Sequence, residues 1–143
     1  MRPPVEPQVV MTSKFGQREN EFHNGIDLRA IVGAPIYAPE EMRILRHGTG
    51  QTYGEHFVVA NGALLYKFMH CALVNGLKDG DVVAEGTVIA KSDSSGTNAA
   101  HLHFETWKNG KAVDPEQAFF NDLLHQEFYP YMEGDKQRWY LQG

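Results

Sequence analysis

A chain of 143 residues suits one domain with a modest core. Its hydrophobic fraction of 42% and charged fraction of 22% are ordinary for a globular protein, and a net charge of −5 excludes nucleic acid as a main partner, because phosphates demand a basic surface. No run approaches the ~20 apolar residues that cross a bilayer, which excludes membrane insertion through a helix, and the single cysteine, Cys71, excludes an intrachain disulfide.

Residues 1–12 read as an extended lead-in: three prolines stand in the first seven positions, with no apolar run of the signal-peptide kind. Glycines then punctuate short runs with strand chemistry, near 36–38, 42–46, 56–60, 64–70, 87–91 and 101–107. Such spacing predicts a mainly β chain, an antiparallel sandwich or barrel-like sheet. Residues 77–86 read as tight turns around a very short strand. Asp114 suits an N-cap and Pro115 a first helical turn, which predicts a short helix from 116 to about 126. The stretch 128–143 is aromatic and irregular, fit to pack on the domain or to meet a neighbouring chain. The division is therefore a lead-in (1–12), a central domain (13–115) and a C-terminal helix with an aromatic tail (116–143).

The chemistry concentrates in a few histidines. On a strand, residues two apart share a face, so in His101-Leu102-His103 both imidazoles project together. In His23-Asn24-Gly25-Ile26-Asp27 an imidazole and a carboxylate can converge if Gly25 allows a tight turn. Each fragment alone is common among surface or core histidines, and so is His70 at the end of an apolar strand. Taken together, His23, Asp27 and one of the last pair make three ligands suited to zinc, with a fourth position left for water, as in catalytic rather than structural sites. His47, His56 and His125 read as ordinary polar residues, and Cys71 as a small packing residue.

The chain resembles the LytM/lysostaphin-type zinc peptidases, family M23, from about Ser13 to Pro115. The resemblance is carried by Phe15-Gly16-Gln17-Arg18, His23-Asn24-Gly25-Ile26-Asp27-Leu28, Gly33-Ala34-Pro35-Ile36-Tyr37-Ala38-Pro39 and Tyr53-Gly54. Tyr66 with His70, Gly80-Asp81-Val82-Val83-Ala84-Glu85-Gly86, Ser95-Gly96-Thr97, His101-Leu102-His103-Phe104-Glu105 and Val113-Asp114-Pro115 follow in order. Ala100 stands where the family usually has proline. The resemblance implies a duplicated-hybrid-motif β fold, one zinc ion held by His23, Asp27 and His103, and two non-ligand catalytic histidines, His70 and His101. It implies hydrolysis of peptide crosslinks in bacterial peptidoglycan, outside the cytoplasm at the cell wall. The lead-in's lack of a signal sequence fits a phage lysin or virion protein. Tyr53 and Asn20 are expected substrate contacts, unless they are plain loop residues.

Two other readings compete. The fold can serve as a non-catalytic wall-binding or phage tail module. The Gly80–Gly86 turn also resembles one in lipoyl and sugar-phosphotransferase carrier domains, but the His-x-x-x-Asp element has no task in either.

Overall fold

The computed structural model describes residues 2–6, 8–74, 76–121 and 127–141. It is mainly β and antiparallel. In chain order the strands are β1 (Val9–Ser13), β2 (Gly16–Gln17), β3 (Phe22–His23), β4 (Ile26–Arg29), β5 (Pro35–Tyr37), β6 (Met42–Gly50), β7 (Gly54–Asn61) and β8 (Leu64–Met69). There follow β9 (Cys71–Leu73), β10 (Val82–Val83), β11 (Val88–Ser92), β12 (His101–Lys108), β13 (Lys111–Val113), β14 (Phe128–Glu133) and β15 (Lys136–Leu141). The main sheet runs β10-β6-β7-β8-β12-β4-β1-β15-β14, with β13 pairing β12. A small sheet runs β5-β11-β9, and β2 pairs β3. The sheets are open and close no barrel.

Alternation explains the layers. On β4, β8 and β12 the residues Ile26, Leu28, Tyr66, Phe68, Leu102 and Phe104 are fully buried on one face, and Asp27, Lys67, His101, His103 and Glu105 take the other. The buried face shares its core with Ile36, Cys71, Ile89 and Ala90 of the small sheet. Aromatic rings knit it: Phe57 and Phe68 stack at 4.8 Å, and Phe68 meets Phe104 edge-on at 5.1 Å. The other face is free to carry chemistry.

Three local expectations change. Part of the lead-in, Val9–Ser13, is a strand, paired with β4 on one side and β15 on the other. The residues 128–141 are not irregular: β14 and β15 form a hairpin, docked on β1 by Val9↔Leu141 and neighbouring pairs. Its alternation is blurred because the hairpin lies at the sheet's end, so Phe128 and Leu141 are buried while Tyr129, Met132 and Tyr140 stay exposed. Asp114 does cap the helix, its Oδ1 accepting the Glu116 N–H at 2.9 Å, but the described turn, Glu116–Asn121, has π rather than α geometry. Residues 122–126, including His125, lie outside the described residues.

Candidate metal centre

The antiparallel register builds the site. His103 on β12 stands opposite Asp27 on β4, and His101 opposite Arg29. Paired residues on one face of neighbouring strands sit within about 5.5 Å, so β-pairing alone brings together groups 76 residues apart. β3 closes the ring by delivering His23. Three donor atoms converge: His103 Nδ1 lies 2.9 Å from Asp27 Oδ1, and His23 Nε2 lies 3.2 Å from the same oxygen and 3.1 Å from His103 Nδ1.

Gly25 makes this possible for a reason the sequence did not suggest. It is needed not for a left-handed turn but for close approach, because a Cβ there would sit on the Phe104 carbonyl and against Glu105 Cγ. A side chain would push β4 off β12 and open the cluster.

Each imidazole has its outer nitrogen tied down. The His23 Nδ1–H donates to the Lys14 carbonyl at 2.8 Å. The His103 Nε2–H donates to Glu105 Oε2 at 2.8 Å, and the other Glu105 oxygen accepts the Trp107 indole N–H at 2.6 Å. Hydrogen bonds of this kind fix the tautomer and aim the remaining lone pair. Two lone pairs and a carboxylate oxygen therefore point at one spot. Without a positive charge there they repel one another. A tetrahedral zinc with bonds of about 2.0–2.1 Å spaces its donors by roughly 3.3 Å, close to the 2.9–3.2 Å observed. The N, N, O donor set and this spacing fit the ion.

The electrostatics agree. Burial raises the Asp27 pKa, but hydrogen bonds from His103 and His23 outweigh it and hold the carboxyl far below its usual range. Burial pushes His103 down, yet its bonds to Asp27 and Glu105 lift it to about 9, so in the metal-free chain a proton occupies the place a cation would take. Glu105 is driven up by burial and pulled lower overall by His103 and Trp107.

His70 and His101 flank the cluster, ring centres 4.7 Å apart. His101 Nε2 is 3.5 Å from Asp27 Oδ1, and its Nδ1–H donates to the Ala99 carbonyl at 2.8 Å. His70 is the corner where the chain leaves the main sheet for the small one, between β8 and β9. Its φ of 65° is left-handed, a conformation that costs a non-glycine residue about 1 kcal/mol or more. The Tyr53 carbonyl accepts its N–H, the Asp93 N–H donates to its carbonyl, and the Ser95 carbonyl accepts its Nδ1–H at 2.7 Å. Burial lowers its pKa, with the Ser95 bond offsetting part of this. His101 thus presents a bare Nε2 to the cluster, and His70, its Nδ1–H spent on Ser95, keeps a bare Nε2 as well.

Tyr53 borders a groove of about 270 Å³ beside the cluster, together with His56, Arg46, Lys67, Glu105 and Trp107. Asn20 lies in the exposed turn between β2 and β3, and among the described residues no hydrogen bond or ion pair links it to the histidines. His47 is an exposed residue bonded to Asp79. Cys71 is fully buried, and burial drives its thiol pKa well up, consistent with packing. Reasoning from the histidines passed over Glu105, Trp107 and Lys67. The signal was present: positions 101, 103, 105 and 107 share one face by strand parity.

Residues 21–115 match Peptidase family M23. The chain is 31% identical over 114 residues to the murein hydrolase activator NlpD of Escherichia coli, covering 78% of this chain and 29% of that protein. It is 30% identical over 98 residues to the peptidoglycan DD-endopeptidase ShyB of Vibrio cholerae, covering 67% of this chain and 23% of that protein. The chain thus spans less than a third of either curated relative. Among solved structures it aligns with the catalytic domain of a mutant of the prophage-encoded M23 protein EnpA from Enterococcus faecalis, with TM-score 0.70 and 29% identity, covering 80% of this chain and 94% of that one. With the match running through every residue of the donor cluster, the chain belongs to peptidase family M23.

Proposed function

We propose that the protein is a zinc-dependent endopeptidase that hydrolyses peptide crosslinks of bacterial peptidoglycan. The observation that carries this is the convergence of His23 Nε2, Asp27 Oδ1 and His103 Nδ1, with two further imidazoles beside them and a groove alongside. His23, Asp27 and His103 would hold the zinc ion, which would supply Lewis acidity for the scissile carbonyl and lower the pKa of a water to about 7.

The chain's own groups do the rest. His101 accepts the nucleophile's proton at its bare Nε2, held in place by the Ala99 carbonyl. His70, neutral because burial lowers its pKa and with its Nδ1–H held by the Ser95 carbonyl, accepts a proton at Nε2 and helps pass it to the leaving amine. Imidazole N–H groups formed in this exchange stabilise the tetrahedral oxyanion. Tyr53 at the groove edge and Asn20 on its turn contact the substrate. The named activity of ShyB favours direct D-Ala crosslinks over glycine bridges, and the prophage origin of EnpA is compatible with a phage lysin or virion protein acting on the wall.

The name of the Escherichia coli relative supports a second reading, a module that activates other wall hydrolases without cutting. An intact donor set argues for catalysis here, since an activator needs no ligands. The deciding experiment is digestion of purified sacculi of directly crosslinked and glycine-bridged types by zinc-loaded protein, with mass spectrometry of the products. Release of monomeric muropeptides from the first type, lost in His101→Ala, is expected. No product from either type, at full zinc occupancy, refutes the enzyme.

A further inference from the structure

The sheet register lays the groove out in rows. One row crosses the strands as His56, Met69, His103 and Asp27, and holds two of the three donors. The next row, two residues along each strand and so about 7 Å away, runs Arg46, Val58, Lys67 and Glu105. The second row lines the groove, as do His56 and Met69 of the first, with His103 and Asp27 at its edge continuing that row. The second row carries two cations and one carboxylate, and that carboxylate is spoken for: its oxygens are held by His103 and Trp107. Lys67 lies with Nζ 4.0 Å from the centre of the Trp107 ring, a cation–π contact that keeps it over the groove floor. Among the described residues, neither Lys67 nor Arg46 has an ion-pair partner within 4.0 Å. Arg18 and Arg29, nearer the other side of Asp27, by contrast both have acidic partners, Glu21 and Glu133. The other polar side chains lining the groove, His56, Tyr53 and Asn24, include no carboxylate. A chain of net charge −5 thus keeps, among the described residues, two cations without an ion-pair partner within 4.0 Å beside a centre built for another.

Resting on the hydrolase reading above, we propose that Lys67 and Arg46 form a subsite for a free carboxylate on the substrate peptide, two to four residues from the bond cut. The separation follows from the rows and strands: Lys67 stands one row along and one strand across from His103, roughly 8 Å, and Arg46 the same row but three strands across, roughly 16 Å, so a carboxylate held between them and nearer Lys67, about 8–13 Å out, is two to four residues away at about 3.3 Å per residue of an extended chain. Lys67 supplies the nearer charge, and Arg46 a planar fork for bidentate binding. A carboxamide at the same place offers neither charge nor a second acceptor oxygen, so the subsite discriminates a stem peptide with a free acid from its amidated twin.

The test uses two synthetic crosslinked stem peptides, identical except that the second residue from the scissile bond carries a carboxylate in one and a carboxamide in the other. Zinc-loaded wild-type protein is expected to cut the acid with a kcat/KM at least about tenfold higher, the size of one charge-assisted hydrogen bond. Lys67→Met and Arg46→Gln should each shrink that ratio towards one while still cutting the amide, and Lys67→Arg should keep it. Arg46 is exposed, so its variant serves if Lys67→Met fails to fold. Equal cutting of both peptides by the wild type, or an unchanged ratio in the charge-removing variants, overturns the subsite and leaves the hydrolase standing. If neither peptide is cut, the hydrolase reading fails, and peptide binding followed by tryptophan fluorescence judges the subsite: tighter binding of the acid, lost in the charge-removing variants, upholds it, and equal binding overturns it.

Discussion

Glu105 is the sharpest test of how the centre is built. Its carboxylate is buried and bonded through Oε2 to His103 Nε2–H at 2.8 Å and through Oε1 to the Trp107 indole at 2.6 Å. Replacing it by alanine leaves His103 free to rotate or to take the other tautomer, which would turn a proton rather than a lone pair towards Asp27. Loss of such an outer partner lowers metal affinity by about 10- to 100-fold, or roughly 1.4–2.8 kcal/mol. Glu105→Gln should fall between wild type and alanine, because its one carbonyl oxygen can serve His103 or Trp107 but not both. The assay is zinc affinity by competition with a chromophoric chelator at pH 7.5, alongside a urea melt of each metal-free variant to correct for lost fold. Glu105→Ala with unchanged zinc affinity would refute the claim that this carboxylate aims the ligand.

Alanine at His23, Asp27 or His103 should abolish stoichiometric zinc and all hydrolysis, whereas His70→Ala and His101→Ala should keep zinc and lower turnover by about 10²–10⁴; metal analysis beside activity separates the two groups. The metal-free chain should lose stability as pH rises from about 6.5, the ordinary imidazole value, to about 9, where His103 gives up its proton. The sign follows from linkage: a raised folded-state pKa stabilises below the unfolded value and the gain is lost on passing the folded one. Asp27, with its pKa depressed, adds stability above the usual carboxylate range and loses it only in strong acid. A thermal melt series from pH 4 to 9, flat or rising between 6.5 and 9, would contradict this. Gly25→Ala should cost about 1–3 kcal/mol through overpacking against β12, read as a lower urea midpoint, and should weaken zinc binding as β4 is displaced.

Much of this was legible in the residues. Glycine-bounded runs of strand-forming residues marked the strands around 42–46, 56–60, 64–70 and 101–107, and the spacing of the histidines offered His23, Asp27 and one of His101 and His103 as ligands, a choice that only the family resemblance made. Position in the sheet was not legible. Nothing local to 128–141 says that the chain returns to pair with β1, since an edge hairpin buries too little to impose a clear period. The role of Gly25 depends on the Phe104 carbonyl, 79 residues away along the chain. The pairing of His103 with Asp27, and of Lys67 with Glu105, depends on register. The sequence by itself determined which side chains of a strand share a face and which residue types offer donor atoms. Only the tertiary structure decided which faces meet, because long-range strand pairing is selected by the packing of the whole core and not by any one segment's preference.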